Sequence, residues 1–449
     1  MRTYGYDYSY AITIDEVNKI LAANLASVNM KISYSSVDPD TGTTITVQGQ
    51  LAPWQLNPKG DNNLLSLNVP FAQGTMSFTG GFLSGKYDLS GVTAVMKISL
   101  SWMGSGTAQS AQGSGDMTNL VFAPVSTTDP DNPGYVATDN ILDPQKKLDT
   151  TASGILAKIM ADLIIENKDN LKVVFNSINP APANVATWLK PFKWQYFYQQ
   201  TSAGNVFCFL CQLTDKNFPA QPAFDSTALQ RSTNTTILIS QEVFFANAIL
   251  PAIRNALRSN NFNQITLNEA CVVTNNGDFI ISTPKGAVTA NSFKLTASSS
   301  GNGLACYTAG GGPLKFLFGL DDLPDATYSW SFNTINPLSF TNNTISFQND
   351  PNPTVQQSST MYWYDWVLLV VTGITSAEGL ASAIVDSVNG FSNQIQAVGM
   401  SNVNSTIEAS LTGSVVNLAN LVDWKQSNQT FQAVNAGLNG AMYAYGNLS

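Results

Sequence analysis

Several stretches of the chain alternate apolar and polar residues with a period of two. Ile98, Leu100 and Trp102 alternate with Lys97, Ser99 and Ser101, and the same pattern runs through Tyr328–Phe332 and Phe293–Ala297. Successive side chains of a strand point to opposite faces, so these stretches predict sheets with one buried and one wet face, the usual state of antiparallel sheets. Asn276 and Gly277, set between Val272–Val273 and Phe279–Ile281, predict a hairpin turn. Gly80–Gly81 and Gly310–Gly312 predict turns or bulges.

Four segments carry helical spacing instead. The first, about Ile14 to Val28, puts Val17, Ile20, Leu21 and Leu25 on one face. The second, about Gln145 to Asn167, carries Leu148, Ile155, Leu156, Ile159, Met160 and Leu163. The third, about Ser240 to Asn260, carries Phe244, Phe245, Ala248, Ile249, Ile253 and Leu257, with Pro251 inside it predicting a kink. The fourth, about Ser376 to Val398, carries Leu380, Ile384, Val388 and Phe391, and a further helix is expected from Ile407 to Leu421. Acidic residues near the starts (Asp15, Glu16, Glu242, Glu378) suit the positive end of the helix dipole.

The helices recur at half the chain length. Ile14 and Gln241 are 227 residues apart, and Gln145 and Ser376 are 231 apart. This spacing predicts two homologous modules, 1–225 and 226–449, divided in a stretch rich in Pro, Ser, Thr and Asn. A helix with a wide apolar stripe must be covered, and a strongly curved antiparallel sheet wrapped around long helices does so. The expected class is therefore α+β, mostly antiparallel β. Where helix and sheet do not fill the space between them, an elongated apolar tunnel is left. The candidate ligand-facing residues are Ile155, Ile159, Met160 and Leu163 on the second helix, and Phe245, Ile249 and Ile253 on the third. Small residues such as Gly154, Ala157 and Ala161 either leave such room or let helix and sheet approach closely.

Composition narrows the chemistry. At 449 residues, and roughly 150 per domain, two or three domains are expected. The chain has no histidine, which removes Ser-His-Asp and Cys-His catalysis and histidine-ligated metals. Charged residues make up 11% of the chain, so Asn, Ser, Thr and Gln must build most of the polar surface. A net charge of -9 with no basic run argues against nucleic-acid partners and polybasic membrane docking. The most apolar run, Trp366–Val371, is far shorter than the roughly 18 residues of a membrane-spanning helix. No classical signal peptide is read at the N-terminus, so the expectation is a protein cytoplasmic at synthesis, with any release by a non-classical route.

The motifs that resemble chemical sites have structural readings. Cys208 and Cys211 form a C-x-x-C, but in an apolar strand-like run that points them to opposite faces, as buried thiols rather than a redox pair or zinc knuckle. Paired carboxylates are the main hydrolytic route left without histidine, and oxygen-rich Asp clusters could bind calcium. The aspartates fall in turn-like segments such as Asp38–Asp40, Asp129–Asp131 and Asp321–Asp322, where turn chemistry accounts for them. No catalytic residue, metal ligand or cofactor is expected. Tyr4, Tyr6, Tyr8 and Tyr10 would share one face of an extended segment, as a core-facing strand or as a sugar or membrane surface. Met361–Trp366 reads as a membrane-dipping aromatic tip or a buried strand.

Three stretches carry a family resemblance. The tyrosine-rich opening Thr3–Ala11 with Val17, Asn18 and Lys19, the aromatic run Trp188–Tyr198, and Leu238–Phe245 running on through Ile249–Pro251 resemble the clostridial family of forty-seven-kilodalton proteins. That family is encoded beside botulinum neurotoxin genes in clusters of the orf-X type. Tyr6 stands where the family is expected to have Trp. The resemblance implies a fold similar to the two-module tubular lipid-binding (TULIP) superfamily. It also implies a non-enzymatic protein that binds a lipid or other elongated apolar ligand, in an accessory role beside other proteins of a toxin cluster. The alternatives are a structural or interaction component of a toxin or insecticidal complex without bound lipid, or a carbohydrate-binding adhesin.

Overall fold

The computed structural model describes residues 1–26, 30–58, 64–98, 136–167, 187–283, 286–299, 301–314, 326–341, 344–360 and 431–448, with short pieces at 100–103, 108–109, 112–114, 119–122, 171, 178–179, 404–405 and 423–424. In chain order the main elements begin with β1 (Tyr8–Thr13), α1 (Ile14–Leu25), β2 (Lys31–Val37), β3 (Thr44–Leu51), β4 (Leu65–Thr79), β5 (Thr93–Ile98), β6 (Val136–Leu142) and α2 (Thr150–Glu166). Next come β7 (Lys193–Thr201), β8 (Gly204–Gln212), β9 (Thr235–Ile239), α3 (Gln241–Phe244), a π-helical turn (Phe245–Ile249) and α4 (Leu250–Ala256). There follow β10 (Phe262–Leu267), β11 (Ala270–Asn275), β12 (Phe279–Thr283), β13 (Gly286–Ala297), β14 (Gly303–Leu314), β15 (Ala326–Thr341), β16 (Thr344–Phe347), β17 (Thr354–Thr360), β18 (Phe431–Asn439) and β19 (Ala441–Leu448). The helices expected at 376–398 and 407–421, the Met361–Trp366 aromatics and the Asp129–Asp131 and Asp321–Asp322 clusters lie outside the described residues.

The chain forms two compact units. One holds Thr3–Leu238, Asn417–Val434 and Tyr445–Ser449, and the other holds Met1–Arg2, Ile239–Val416 and Asn435–Ala444. The sheet that holds β1 runs in the order Gln112–Ser114, β7, β8, β1, β9, β19, β18. A second sheet runs β6, β5, β4, β3, β2. In the other unit, β10, β11, β13, β14, β15 and β16 are neighbours in that order, with β12 also on β13 and β17 also on β15. The registered pairs run antiparallel in all three sheets.

Among the described residues the architecture is thus mostly antiparallel β with three helical stretches. The strong curvature expected of the sheets is a point of correction, because none of the three large sheets is strongly curled. Curling needs repeated extra residues that bend the strands. Among the described residues the registered pairings show isolated shifts, at Gln50/Leu51, Thr138/Asn140 and Ala290/Ser292.

Local chemistry accounts for the helix bounds. In α1 the expected stripe of Val17, Ile20, Leu21 and Leu25 is buried, with Asp15 and Glu16 in the first turn. α2 begins at Thr150 rather than near Gln145, because Asp149 caps it by accepting the Ala152 N–H at 2.7 Å. The preceding residues form a separate turn: Lys146 is left-handed (φ 54°), and Asp143 accepts the Leu148 N–H at 2.7 Å. The irregularity expected at Pro251 takes the form of the π-helical turn that ends at Ile249. Proline cannot donate the hydrogen bond that would close on residue 247, and a wider turn just ahead of it absorbs the mismatch.

The glycine signals resolve in different ways. Asn276–Gly277 is not a hairpin turn, since β11 and β12 both pair with β13 and form two consecutive lengths of one edge. Asn275 bridges the break: its amide donates to the Gly277 and Asn291 carbonyls, each at 3.0 Å, and accepts the Phe293 N–H at 2.8 Å. Gly310–Gly312 run inside β14, opposite Tyr328–Trp330, and mark a bulge rather than a turn: the β13 register shifts between Ala290, opposite Gly310, and Ser292. A Cβ at Gly310 would collide with the Thr289 carbonyl and the Trp330 ring, so glycine there serves close approach. Gly80 and Gly81 do form a turn, with φ of 74° and 62°.

Candidate functional site

The seven candidate ligand-facing residues fall into two groups, one in each unit. On α2, Ile159, Met160 and Leu163 are buried and Ile155 is half-buried. On the π turn and α4, Phe245, Ile249 and Ile253 are buried. Five of them, Met160, Leu163, Phe245, Ile249 and Ile253, have 0% exposure. A void wide enough for water beside a side chain would register as exposed area, so these faces are closed as they stand. The small residues do not make room either. Gly154 is exposed with nothing within 4 Å of a modest added Cβ, and Ala157 and Ala161 are half-buried, so all three lie off the Leu156–Leu163 face.

The surroundings of these helices are apolar and aromatic. Phe262, Phe279 and Phe293 meet edge to face, with ring centroids 4.9 to 6.0 Å apart. Trp330 stacks on Phe332 at 5.9 Å and 11°. Polar tethers fix the helix ends: Gln241 accepts the Cys271 N–H at 2.9 Å, and Arg254 donates to the Phe262 carbonyl at 2.7 Å. In the other unit Asn167, at the end of α2, is bonded through both amide atoms to the backbone of Ser33.

Two cavities are lined by described residues of the larger unit, and none of the seven candidates lines either. One, of about 610 Å³, sits over β2, β3 and β4, between Ser33, Gln48, Gln73 and Asn167. Its floor is the pair Gly49 and Gly74, whose backbones approach so closely that a Cβ on Gly49 would come within 2.6 Å of the Gln73 carbonyl. The other, of about 490 Å³, lies where the start of α1, the β7–β8 hairpin and the residues around Arg231 and Asn447 meet. It joins residues more than 200 positions apart, which sequence patterns do not connect.

The titratable groups form structural contacts. Cys208 and Cys211 sit on β8 opposite Ala11 and Tyr8, both fully buried, and burial pushes both thiols well above their usual range. Cys306 is pushed up to about 12 by the same desolvation. The buried Asp7 carboxylate accepts the Leu213 N–H at 2.7 Å and pairs with Lys216 at 3.3 Å. Asp38 accepts the N–H groups of Asp40 and Thr41, which is the turn role expected of it. Tyr6, Tyr8 and Tyr10 are buried and Tyr4 is exposed in a turn with φ 52°, so the opening tyrosines are chiefly core. Among the described residues no group of three or more His, Cys, Asp or Glu could hold a metal ion. No helix there is long and apolar enough to cross a membrane.

These features define a mostly antiparallel β protein whose helices lay closed apolar faces against sheets. The chain belongs to the OrfX/P47 family of the botulinum neurotoxin cluster: residues 3–297 match the OrfX-like family, described as Protein OrfX2/OrfX3/P47. Protein P47 of Clostridium botulinum (strain Kyoto / Type A2) is 23% identical over 257 residues, which are 56% of this chain and 56% of that protein. The match thus spans about half the length of that relative. The structure of P47 from Clostridium botulinum A2 aligns with a TM-score of 0.74 at 20% identity, over 100% of this chain and 98% of the other. P47 of Clostridium botulinum E1 aligns with a TM-score of 0.70 at 18% identity, over 99% and 100%. At these identities the likeness is one of fold.

Proposed function

We propose that this chain is a non-enzymatic accessory protein of a toxin gene cluster that binds a lipid or other elongated apolar ligand between helix and sheet. The observation that carries the reading is the apolar helix face laid on an antiparallel sheet in each unit, at Leu156–Leu163 and Phe245–Ile253. A ligand there is held by apolar area, at about 0.8 kcal/mol per buried methylene, so an eight-carbon stretch contributes roughly 6 kcal/mol before ordering costs. Because the faces are closed, the ligand enters by parting helix from sheet.

The reading includes two tubular lipid-binding modules, 1–225 and 226–449. Repetition of local order supports it. β1 leads directly into α1 and β9 into α3, their helices start 227 residues apart, and each is followed by a run of antiparallel strands. β1 and β9 are also neighbours in one sheet.

The test is to extract the purified native protein with organic solvent and identify the extract by mass spectrometry. A stoichiometric lipid or fatty acyl compound is the expected result. An empty extract, repeated after incubation with mixed liposomes, would overturn it. A second reading, an interaction component without a ligand, is favoured by the 0% exposure of Met160, Leu163, Phe245, Ile249 and Ile253. Co-purification with neighbouring gene products from the same empty preparation would establish it.

A further inference from the structure

The 490 Å³ cavity at the start of α1 is unlike the apolar helix faces, since polar side chains with unused hydrogen-bonding capacity surround it. Arg231 lies on it, and among the described residues its guanidinium has no ion pair or hydrogen bond. Asn447 accepts the Asn234 N–H at 3.1 Å through Oδ1, which leaves the two donors of its Nδ2 unused. Asn205, on the β8 side of the hairpin, has its whole carboxamide free among the described residues. The Asp15 carboxylate supplies the unused acceptors. The wall is fixed in place: Asn18 is bonded both ways to the backbone of Leu56, at 2.7 and 3.1 Å, and the Tyr198 hydroxyl donates to the Pro58 carbonyl.

The charges decide what class of ligand fits. Asp15 and Glu16 are balanced by Lys19 and Arg231, with Glu16 and Lys19 already paired at 3.0 Å. A site with no net charge and two carboxylates does not favour a phosphate or sulfate, although α1 starts there. It offers donors and acceptors side by side, and a hydroxyl group needs both at once. Leu56, Pro58 and Ala203 add apolar wall against which the C–H face of a ring can rest. The volume lies within the roughly 300–1,000 Å³ usual for small-molecule pockets. We propose that this cavity binds a neutral sugar residue of a glycan, with Asp15, Asn205, Arg231 and Asn447 holding its hydroxyls. This site is separate from the apolar faces, and its standing does not depend on whether those faces bind lipid.

The experiment is saturation-transfer NMR of the full chain with a panel of neutral methyl glycosides and their disaccharides, followed by titration of those that respond. Arg231→Gln and Asn447→Asp are then compared, the second keeping the Oδ1 acceptor that Asn234 uses while removing the donors. Arg231 is exposed, so its loss leaves the fold intact, and an unchanged melting temperature verifies this for each variant. The expected result is a responding glycoside whose affinity falls roughly tenfold or more in each variant. A panel without a response, a response unchanged in both variants, or binding of inorganic phosphate at the same residues in place of sugar would overturn the proposal.

Discussion

Leu163→Ala measures directly whether the α2 face is solid core or ligand wall. The side chain is buried at 0% exposure, in a row with Leu156, Ile159 and Met160. Truncation removes three carbons, and at about 0.8 kcal/mol each the transfer loss alone is about 2.4 kcal/mol. If the surroundings cannot relax, the void adds its own cost, and buried Leu→Ala changes reach about 3–5 kcal/mol in total. The assay is urea denaturation followed by tryptophan fluorescence, which reports on this unit because Trp54 and Trp194 are fully buried in it. A closed face predicts a loss of about 3–5 kcal/mol in ligand-free protein, with partial recovery when a short-chain fatty acid or detergent fills the void. A loss below about 1 kcal/mol would refute the reasoning, since it would mean that Leu163 already borders open space.

Three further outcomes follow from named contacts. Gly310→Ala should destabilise the protein by about 1–3 kcal/mol, because its Cβ has no room between the Thr289 carbonyl and the Trp330 ring; an unchanged melting temperature would show that β13 and β15 can yield there. Asp88 is held below the usual carboxylate range by the Lys147 ammonium and then by Ser90, and Asp149 by the Ala152 N–H and then by the Tyr87 hydroxyl. A lowered folded pKa gives stability that is present above the unfolded value, about 3.9, and is lost as pH falls through the folded one. The Asp88→Asn/Asp149→Asn variant should therefore lose less melting temperature than the native chain on acidification below about pH 4, and an identical slope would refute the assignment. The four buried cysteines should resist a thiol reagent at pH 8 in native protein and all react after denaturation; rapid native labelling of Cys208 or Cys211 would contradict their burial.

Much of the local structure was legible in the sequence because it depends on nearest neighbours. The period-two stretches at Phe293–Ala297 and Tyr328–Phe332 lie in β13 and β15, and the Val17–Leu25 stripe is buried on α1. The C-x-x-C was readable as buried thiols, since three positions along a strand already place the sulfurs on opposite faces. The family resemblance in Thr3–Ala11 and Trp188–Tyr198 was carried by residues that lead into and form the first parts of β1 and β7. The failure came where a glycine signal had two uses. Asn276–Gly277 carries a hairpin signal locally, yet it joins two strands that both pair with β13, a neighbour the sequence does not show.

The sequence by itself determined the period-two strands, the absence of histidine chemistry, most of the buried residues on the described helix faces and the family. Tertiary structure alone decided which backbones meet, how far the sheets curl and whether the helix faces are closed. It also brought Asp15, Asn205, Arg231 and Asn447 around one cavity. The physical reason is range: periodicity and capping act over a few residues, whereas closure and convergence depend on side chains from distant strands competing for the same space.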